Sequence, residues 1–507
     1  MKLFEIEPNR QDQLAITDLS RHRTWRELEQ HAFGLAAAYH SELGLQPGDH
    51  VALQLSNRVE FIEALLAGII AGLWVTPINT HLTTDEAAGI LVNSDARLLI
   101  FDKENAELAN HVSNVQALSV ENERFERWLG QDGSQRFFAQ SPAGGTMLYT
   151  SGTTGHPKGV MRAKSASLGE ALDNMKRGGR LFGLLGEGPH LVTGPLYHAA
   201  PMLFALYDLL NGSEMVIMPR WDVGLFHRCV RDYGITTTHL VPTMMVRLLK
   251  GRTNESSNHA APEDTTLALV LHGAAPIGRH TKEAMLAWWG DILVEYWGGS
   301  EAGVTTLCTS DEWRKKPGTV GRALPHFEVY IGDSDGNPVK SVEGELFCRH
   351  RDVVQVFSYY KDPEKTRRAH PQPYIFSIGD SGYVDPDGYV FLSGRRNDLI
   401  LSGGVNIYPA EIEQALLGFD LVQDCAVLGI PDPEWGERVV AVIELQESDV
   451  LNVGDSLKEA QLIEEILTFL APRLARFKMP REFRFVTRIP RMATGKIKQS
   501  ALRGLIQ

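Results

Sequence analysis

The stretch YTSGTTGHPKGV, Tyr149–Val160, is the most informative part of the sequence. Its hydroxyls and bare backbone N–H groups can donate hydrogen bonds to phosphate oxygens, and its glycines allow a close backbone approach. A lysine adds a compact positive charge. The apolar residues before it read as the end of a buried strand, and a strand followed by a polar loop and a lysine is typical of a nucleotide-phosphate loop. The candidate phosphate ligands are Thr150, Ser151, Gly152, Thr153, Thr154, Gly155 and Lys158.

Seven further blocks follow in order and span most of the chain. They are PLYHAAP (195–201), HGAAP (272–276), EYWGGSE (295–301), SIGD (377–380), GRRND (394–398), SGGVNIYPAEIE (402–413) and TGK (494–496). With the phosphate loop, they resemble the motifs of the AMP-forming adenylating enzymes, which comprise acyl-CoA synthetases, peptide-synthetase adenylation domains and luciferases. The resemblance implies an α/β fold with a large N-terminal adenylating domain, built from parallel or mixed sheets with flanking helices. A small mobile α+β C-terminal domain would follow, with residues 1–396 and 397–507 as the two domains and a hinge near Asn397.

Composition limits the classes of function. The chain has 507 residues, 43% of them hydrophobic and 22% charged, which is enough for more than one core. A net charge of −13 argues against a nucleic-acid surface. The four cysteines are scattered without a CxxC pair, so we expect a reducing compartment and no zinc site. With no signal peptide and no membrane span recognisable, the sequence predicts a soluble cytoplasmic protein, leaving open a homodimer and a peripheral membrane contact.

Helix and strand patterns alternate along the first hundred residues. Thr24 and Glu27 form a capping-box pattern before a helix. Strands are predicted at 51–55, 74–78 and 98–101, with a helix at 59–70. Alternation of this kind predicts parallel sheet with crossover helices. HGAAP and GGSE each follow an apolar run, so we expect them to be loops at the carboxyl ends of strands, where open α/β sheets place ligands.

The arrangement of predicted helices and strands changes after Gly394. Pro409 is well placed as the first residue of a helix. Strand-like runs at 425–430 and 439–445 precede a helix at about 457–469. These elements predict a small α+β domain of about a hundred residues.

The resemblance assigns the nucleotide contacts. Glu301 would be the carboxylate ligand of Mg²⁺, and Trp297 would stack on adenine in place of the more usual tyrosine. Asp380 would accept hydrogen bonds from both ribose hydroxyls, and Arg395 would contact ribose and phosphate. Further backbone contacts to the nucleotide would come from Gly273, Ala274, Ala275, Gly298, Gly299 and Ser300.

It also assigns the two half-reactions. His198 would lie beside the substrate carboxylate, and Lys496 would bridge that carboxylate and the α-phosphate. Thr150 belongs to the same catalytic set. Gly403 and Gly404 would lie along pantetheine after the small domain has rotated, and a block at 435–438 is common in CoA ligases.

The expected reaction uses ATP, Mg²⁺ and coenzyme A. A carboxylate and ATP are both anions, so their joining needs charge neutralisation and positioning more than a nucleophilic side chain. The absence of an aspartate beside His198 argues against an amino-acid substrate. The predicted acyl pocket has an apolar lining with no obvious buried cation, formed by Leu203, Phe204, Val241, Thr243, Met244, Gly273, Gly298 and Gly299.

The sequence favours a medium- or long-chain fatty acid as the substrate. An aryl or steroid-type ring acid stays open. A carrier protein is an alternative acceptor to CoA, and a non-catalytic nucleotide-binding regulator is an alternative of another class.

Overall fold

The structure is a computed structural model. It describes residues 1–133, 136–150, 158–254, 266–395, 400–402, 405–433, 436–446, 456–492, 497 and 499–506. Among these, three sheets carry the fold, and helices cover their faces.

The first part of the chain builds most of the smaller of the two N-terminal sheets, and its first two strands join the largest sheet. Its elements are β1 Leu14–Thr17, β2 His22–Thr24, α1 Trp25–Ser41, β3 His50–Gln54, α2 Val59–Ile70, β4 Trp74–Pro77, α3 Thr84–Asn93, β5 Ala96–Phe101, α4 Ala106–His111, β6 Gln116–Ser119, α5 Glu123–Leu129, β7 Gly145–Thr150 and β8 Lys158–Arg162. The Thr24–Glu27 capping box begins α1 as predicted, and α2 has the predicted bounds. β4, β3, β5 and β6 run parallel, whereas β7 and β8 are antiparallel.

The middle of the chain builds most of the largest sheet and adds one strand, which pairs with β8, to the smaller sheet. Its elements are α6 Leu168–Leu181, β9 His190–Val192, α7 Ala199–Asn211, β10 Met215–Ile217, α8 Val223–Tyr233, β11 Thr237–Leu240, α9 Pro242–Asn254, β12 Leu269–His272, α10 Arg279–Trp289, β13 Leu293–Gly299, β14 Gly303–Thr309, α11 Ser310–Lys315, β15 Thr319–Ala323, β16 Phe327–Ile331, β17 Gly344–His350, β18 Phe357–Tyr359, α12 Pro363–Ala369, β19 Ile375–Phe376, β20 Asp380–Val384 and β21 Tyr389–Arg395. β11, β12 and β13 are parallel, and β13, β14 and β15 are antiparallel.

The last part builds a separate sheet. Its elements are β22 Ile400–Ser402, β23 Val405–Ile407, α13 Pro409–Leu416, β24 Val422–Asp432, β25 Gly436–Leu445, α14 Ser456–Leu470, β26 Glu482–Val486 and α15 Gln499–Gly504. Pro409 begins α13 as predicted, and both predicted strands and the helix are present with longer bounds. The predicted α/β fold with a smaller α+β C-terminal part is therefore confirmed.

One local expectation was wrong. Gly298 and Gly299 do not form a loop after a strand, because β13 continues through Gly299 and pairs with β14. The turn is confined to residues 300–302, and Gly299 lies opposite Gly303. The antiparallel pairing extends the strand beyond the apolar run from which its end was predicted.

Candidate active site

A cavity of about 3070 Å³ brings distant parts of the sequence together. Most of the predicted site residues with described side chains line it: Lys158, His198, Ala274, Ala275, Trp297, Gly298, Gly299, Ser300 and Asp380. Thr150, Gly273 and Glu301 are not among the residues that line it. Outside the described residues lie Ser151, Gly152, Thr153, Thr154, Gly155, Gly403, Gly404 and Lys496, with the proposed hinge residue Asn397, and Arg395 is described by its backbone alone.

The predicted phosphate loop connects two antiparallel strands. Thr150 at the end of β7 pairs in register with Lys158 at the start of β8. Lys158 Nζ lies 3.0 Å from Asp362 Oδ2. Asp362 also caps α12 by accepting from the backbone N–H of Lys365, and that hydrogen bond, followed by the one from Lys158, lowers the pKa of Asp362. The lysine cation is thus held at the cavity wall by a carboxylate that the sequence did not single out.

Glu301 occupies the short turn between β13 and β14, and its two oxygens differ in their surroundings. The Tyr359 hydroxyl donates to Oε1 over 3.2 Å. Oε2 lies toward Gly299, where a Cβ atom would stand only 2.9 Å from it. The ammonium group of Lys365 lies 3.9 Å from the Tyr359 ring centroid. Glycine at 299 therefore leaves room for one carboxylate oxygen beside the cavity lining.

The donor set around Glu301 is compatible with magnesium. Within the part of the chain that the structure describes, no group of three or more His, Cys, Asp or Glu side chains could hold a metal ion. Mg²⁺ commonly takes one or two carboxylates and completes its shell with substrate phosphates and water. A single glutamate beside a predicted phosphate loop matches that preference.

Trp297 and Asp380 form a buried pair. The indole N–H donates to Asp380 Oδ2 over 2.7 Å, and the two residues are 5% and 7% exposed. Asp380 also pairs in register with Arg395, so the two residues predicted to bind ribose come from adjacent strands. The indole N–H is engaged with the carboxylate, while Trp297 and Asp380 both still line the cavity.

Beneath the HGAAP loop lies a buried ion pair that the sequence analysis missed. Lys282 Nζ is 2.8 Å from Glu295 Oε2 and 2.6 Å from His272 Nε2, and both Lys282 and His272 are fully buried. Burial, followed by the charge of Lys282, holds the pKa of His272 well below its usual value, so the ring is neutral and accepts from the ammonium. Two residues after His272, Ala274 has a positive φ of 67°, a backbone conformation that alanine rarely adopts.

Aromatic side chains line another part of the cavity. We call Phe182, Phe204, Tyr207, His239 and Tyr296 the ring wall. Phe204 lies 5.5 Å from Phe182, 5.2 Å from Tyr296 and 5.6 Å from His239 between ring centroids. His239 Nε2 and the Tyr296 hydroxyl are 3.0 Å apart in a hydrogen bond. Apart from Phe204, the sequence analysis did not single out these residues. The adjacent aromatic residues Tyr296 and Trp297 were an available signal, because neighbouring side chains of a strand lie on opposite faces of the sheet.

The predicted acyl lining is only partly correct. Leu203, Phe204, Val241, Met244, Gly298 and Gly299 line the cavity, whereas Thr243 and Gly273 do not. Gly273 instead lies against the Tyr296 ring, because a Cβ atom there would approach its Cζ to 2.8 Å. Two exposed polar side chains on one face of α6, Asn174 and Arg177, also border the cavity.

Comparison with known proteins assigns the family. The family model described as AMP-binding enzyme matches residues 4–360, and that of the AMP-binding enzyme C-terminal domain matches residues 411–496. The chain belongs to the AMP-binding enzyme family. This AMP-binding enzyme is 29% identical to a long-chain-fatty-acid–CoA ligase, FadD13, of Mycobacterium tuberculosis, over 91% of its own length and 89% of the relative's.

Two further relatives carry ring-bearing acids in their names. The chain is 31% identical to the 3-[(3aS,4S,7aS)-7a-methyl-1,5-dioxo-octahydro-1H-inden-4-yl]propanoyl:CoA ligase of Rhodococcus jostii, covering 96% of this chain and 95% of the relative. It superposes with a TM-score of 0.80 and 25% identity on o-succinylbenzoate CoA synthetase of Bacillus subtilis bound to its acyl-adenylate intermediate, covering 97% and 95% of the two chains. The described residues include no helix with the length and apolar character needed to span a membrane.

Proposed function

We propose that this AMP-binding enzyme joins a hydrophobic monocarboxylic acid to coenzyme A through an acyl adenylate, at the expense of ATP. The observation that carries the proposal is one cavity bordered by both a polar pair, Trp297 and Asp380, and an apolar and aromatic compartment around Phe204. A nucleotide and an apolar acid can meet there, as in-line attack on the α-phosphate requires.

The residues divide the work in the following way. Asp380 accepts from the ribose hydroxyls, because a carboxylate has acceptor sites for both. Lys158 leaves Asp362 and neutralises phosphate charge. His198, which occupies the N-cap position of α7 and lines the cavity, lies next to the acid. Glu301 would hold Mg²⁺, which would supply charge neutralisation at the phosphates. Lys496 bridges the two reacting anions.

The second half-reaction needs the C-terminal part to rotate. Residues 397–507 form the mobile domain in this proposal, with the hinge near Asn397 and Gly403 and Gly404 placed along pantetheine. In its support, the hydrophobic clusters of the described chain separate on either side of this boundary, since two consist only of residues from Ile400 onward. Domain rotation would then present different faces of the small domain to one site.

Two classes of acid are candidates. The fatty acid favoured by the sequence is supported by the apolar side chains Leu203, Val241 and Met244 and by the fatty-acid ligase relative. A ring acid is supported by the two relatives named for ring acids.

A panel of carboxylic acids tests the function. Purified protein is given ATP, Mg²⁺ and each acid, and AMP formation is compared with and without CoA. We expect CoA-dependent AMP formation with at least one hydrophobic acid, and Lys496→Ala should lose adenylation by on the order of 100-fold while still converting pre-made acyl-AMP to thioester. AMP formation that needs a carrier protein instead of CoA would assign the other acceptor. No pyrophosphate release with any acid would favour a non-catalytic regulator.

A further inference from the structure

The ring wall is locked by contacts among its own members. Phe204 is 3% exposed and meets Phe182 and Tyr296 edge to face, at interplanar angles of 88° and 70°. Tyr296 is held in turn by its hydrogen bond to the buried His239. Moving the Tyr296 ring aside would leave a buried polar atom without its partner, which is costly. The wall is therefore a rigid boundary of the cavity.

The two ionisable side chains of the ring wall that lie deepest, His239 and Tyr296, stay uncharged near pH 7. Burial lowers the pKa of His239 to about 3, so its ring stays neutral near pH 7. Burial also raises the pKa of the Tyr296 hydroxyl. A rigid, neutral surface made of ring edges and faces is complementary to another ring, because aromatic pairs gain from offset and edge-to-face contacts beyond burial alone.

The remaining course of the cavity does not favour a long alkyl chain. Between α6 and α7 the lining continues over Gly178, next to Tyr207, to the polar side chains Asn174 and Arg177. Both side chains are exposed, so an extended chain would leave the rings for an amide and a guanidinium in contact with solvent. A compact acid would place its apolar body against Phe204 and Tyr296 without reaching them.

We infer that the preferred substrate is a compact ring-bearing carboxylic acid, aryl or alicyclic, whose ring packs on Phe204 and Tyr296. This inference rests on the proposed ligase function and selects between its two substrate classes.

Matched acids test the substrate class. We would measure kcat/KM for CoA-dependent AMP formation with 3-phenylpropanoic, 3-cyclohexylpropanoic, nonanoic and hexadecanoic acids. The two ring acids should exceed nonanoic acid, which has the same number of carbons, by about tenfold, and hexadecanoic acid by more. Phe204→Leu keeps an apolar side chain but removes a ring, and it should bring the ratio of ring acid to nonanoic acid close to one. Phe226→Leu, a buried aromatic change in another cluster, should leave that ratio unchanged.

The outcomes separate two kinds of failure. A wild-type preference for nonanoic or hexadecanoic acid, or an unchanged ratio in Phe204→Leu, would overturn the ring-acid inference and leave the ligase function intact. Absence of AMP formation with all four acids and with a wider panel would overturn the proposed function itself.

A second inference comes from the surroundings of Glu301. β18 pairs with β8, which places Tyr359 opposite Val160 and beside the predicted phosphate loop. The Tyr359 hydroxyl holds Oε1 of Glu301, and the absence of a side chain at Gly299 leaves space around Oε2. The geometry points to Tyr359 as a positioning residue that leaves a single Glu301 oxygen for the metal. This inference also rests on the proposed function, through Glu301.

Two adjacent tyrosines provide a matched pair of variants. Tyr359→Phe removes the hydroxyl that contacts Glu301, whereas Tyr360→Phe removes one that donates to Asp95 on the surface. Mn²⁺ binding to protein saturated with α,β-methylene-ATP would be followed by electron paramagnetic resonance. We expect the Mn²⁺ dissociation constant to rise about fivefold in Tyr359→Phe and not in Tyr360→Phe.

Equal Mn²⁺ affinity in wild type and Tyr359→Phe would overturn the positioning role, as would equal losses in both variants. Glu301→Gln is the reference, and its loss of Mn²⁺ affinity should exceed that of Tyr359→Phe. If Glu301→Gln binds Mn²⁺ as tightly as the wild type, the metal role of Glu301 in the proposed function fails as well.

Discussion

The two faces of the β11–β12–β13 strands differ in their chemistry. His239, Leu271 and Val294 are register neighbours, and Tyr296 shares their side; this is the aromatic face. His272 and Glu295 pair on the opposite side, which Trp297 shares; this is the charged face. Because side chains alternate along a strand, one strand can border two compartments with adjacent residues. Tyr296 belongs to the ring wall, while Trp297 donates to the carboxylate of Asp380.

The two faces stabilise their buried polar groups differently, by an ion pair on one and by an uncharged hydrogen bond on the other. On the charged face, a fully buried Lys282 is balanced by Glu295. On the aromatic face, the polar atoms of His239 and Tyr296 satisfy each other without carrying charge. The proposed function places the nucleotide by the charged face and the apolar acid by the aromatic face.

The largest expected effect comes from the charged face. Lys282→Met leaves Glu295 buried without its cation, which should lower the free energy of unfolding by about 3–5 kcal/mol. The double variant Lys282→Met/Glu295→Gln should recover much of that loss. Lys315→Met removes an exposed pair with Asp311 and should leave the free energy of unfolding almost unchanged, because solvent screens such pairs. Urea denaturation measures all three, and similar losses for Lys282→Met and Lys315→Met would contradict the importance of the buried pair.

Asp380→Ala separates the faces by substrate. It removes the partner of Trp297 and the proposed ribose acceptor, so kcat/KM for ATP should fall on the order of 100-fold, as expected for lost hydrogen bonds to a charged group. The KM for the acid should change little. Asp387→Ala, an exposed carboxylate paired with Lys316, is the control. A larger change in the KM for the acid than in kcat/KM for ATP would mean that Asp380 contacts the acid and not the nucleotide.

Acid pH should destabilise the aromatic face. The unfolded chain binds a proton on His239 below about pH 6.5, while the folded ring, with a pKa of about 3, does not, so stability is full above pH 6.5 and falls as the pH drops toward 3. At pH 5 this group alone accounts for about 2 kcal/mol. The loss of unfolding free energy between pH 7 and pH 5 should be smaller in His239→Gln and unchanged in the exposed His22→Gln. Equal slopes in wild type and His239→Gln would contradict the assignment.

The smallest effect should come from Tyr296→Phe, which keeps the ring and removes one hydroxyl. Losing the hydrogen bond to His239 should cost about 1 kcal/mol of stability and raise the KM for the acid a few-fold, with the KM for ATP unchanged. Steady-state kinetics with each substrate varied in turn measures the split. A change confined to the KM for ATP would mean that the two faces do not separate the substrates.

Local patterns in the sequence were sufficient for many elements. The capping box at Thr24, helix Val59–Ile70 and Pro409 at the start of α13 could be predicted, because caps, apolar periodicity and proline act over a few residues. The continuation of β13 through Gly299 could not, because it depends on pairing with β14.

The sequence by itself determined the family, the α/β architecture and the residues expected around the nucleotide, since these reside in ordered motifs and in local periodicity. Only the tertiary structure decided which groups accompany them. Asp362 at Lys158, Tyr359 at Glu301, Lys282 at Glu295 and His239 at Tyr296 are separated along the chain and carry no shared local signal. Their pairing follows from strand register and helix packing. For the buried groups among them, such as Lys282 and His239, a partner is needed because burial removes water.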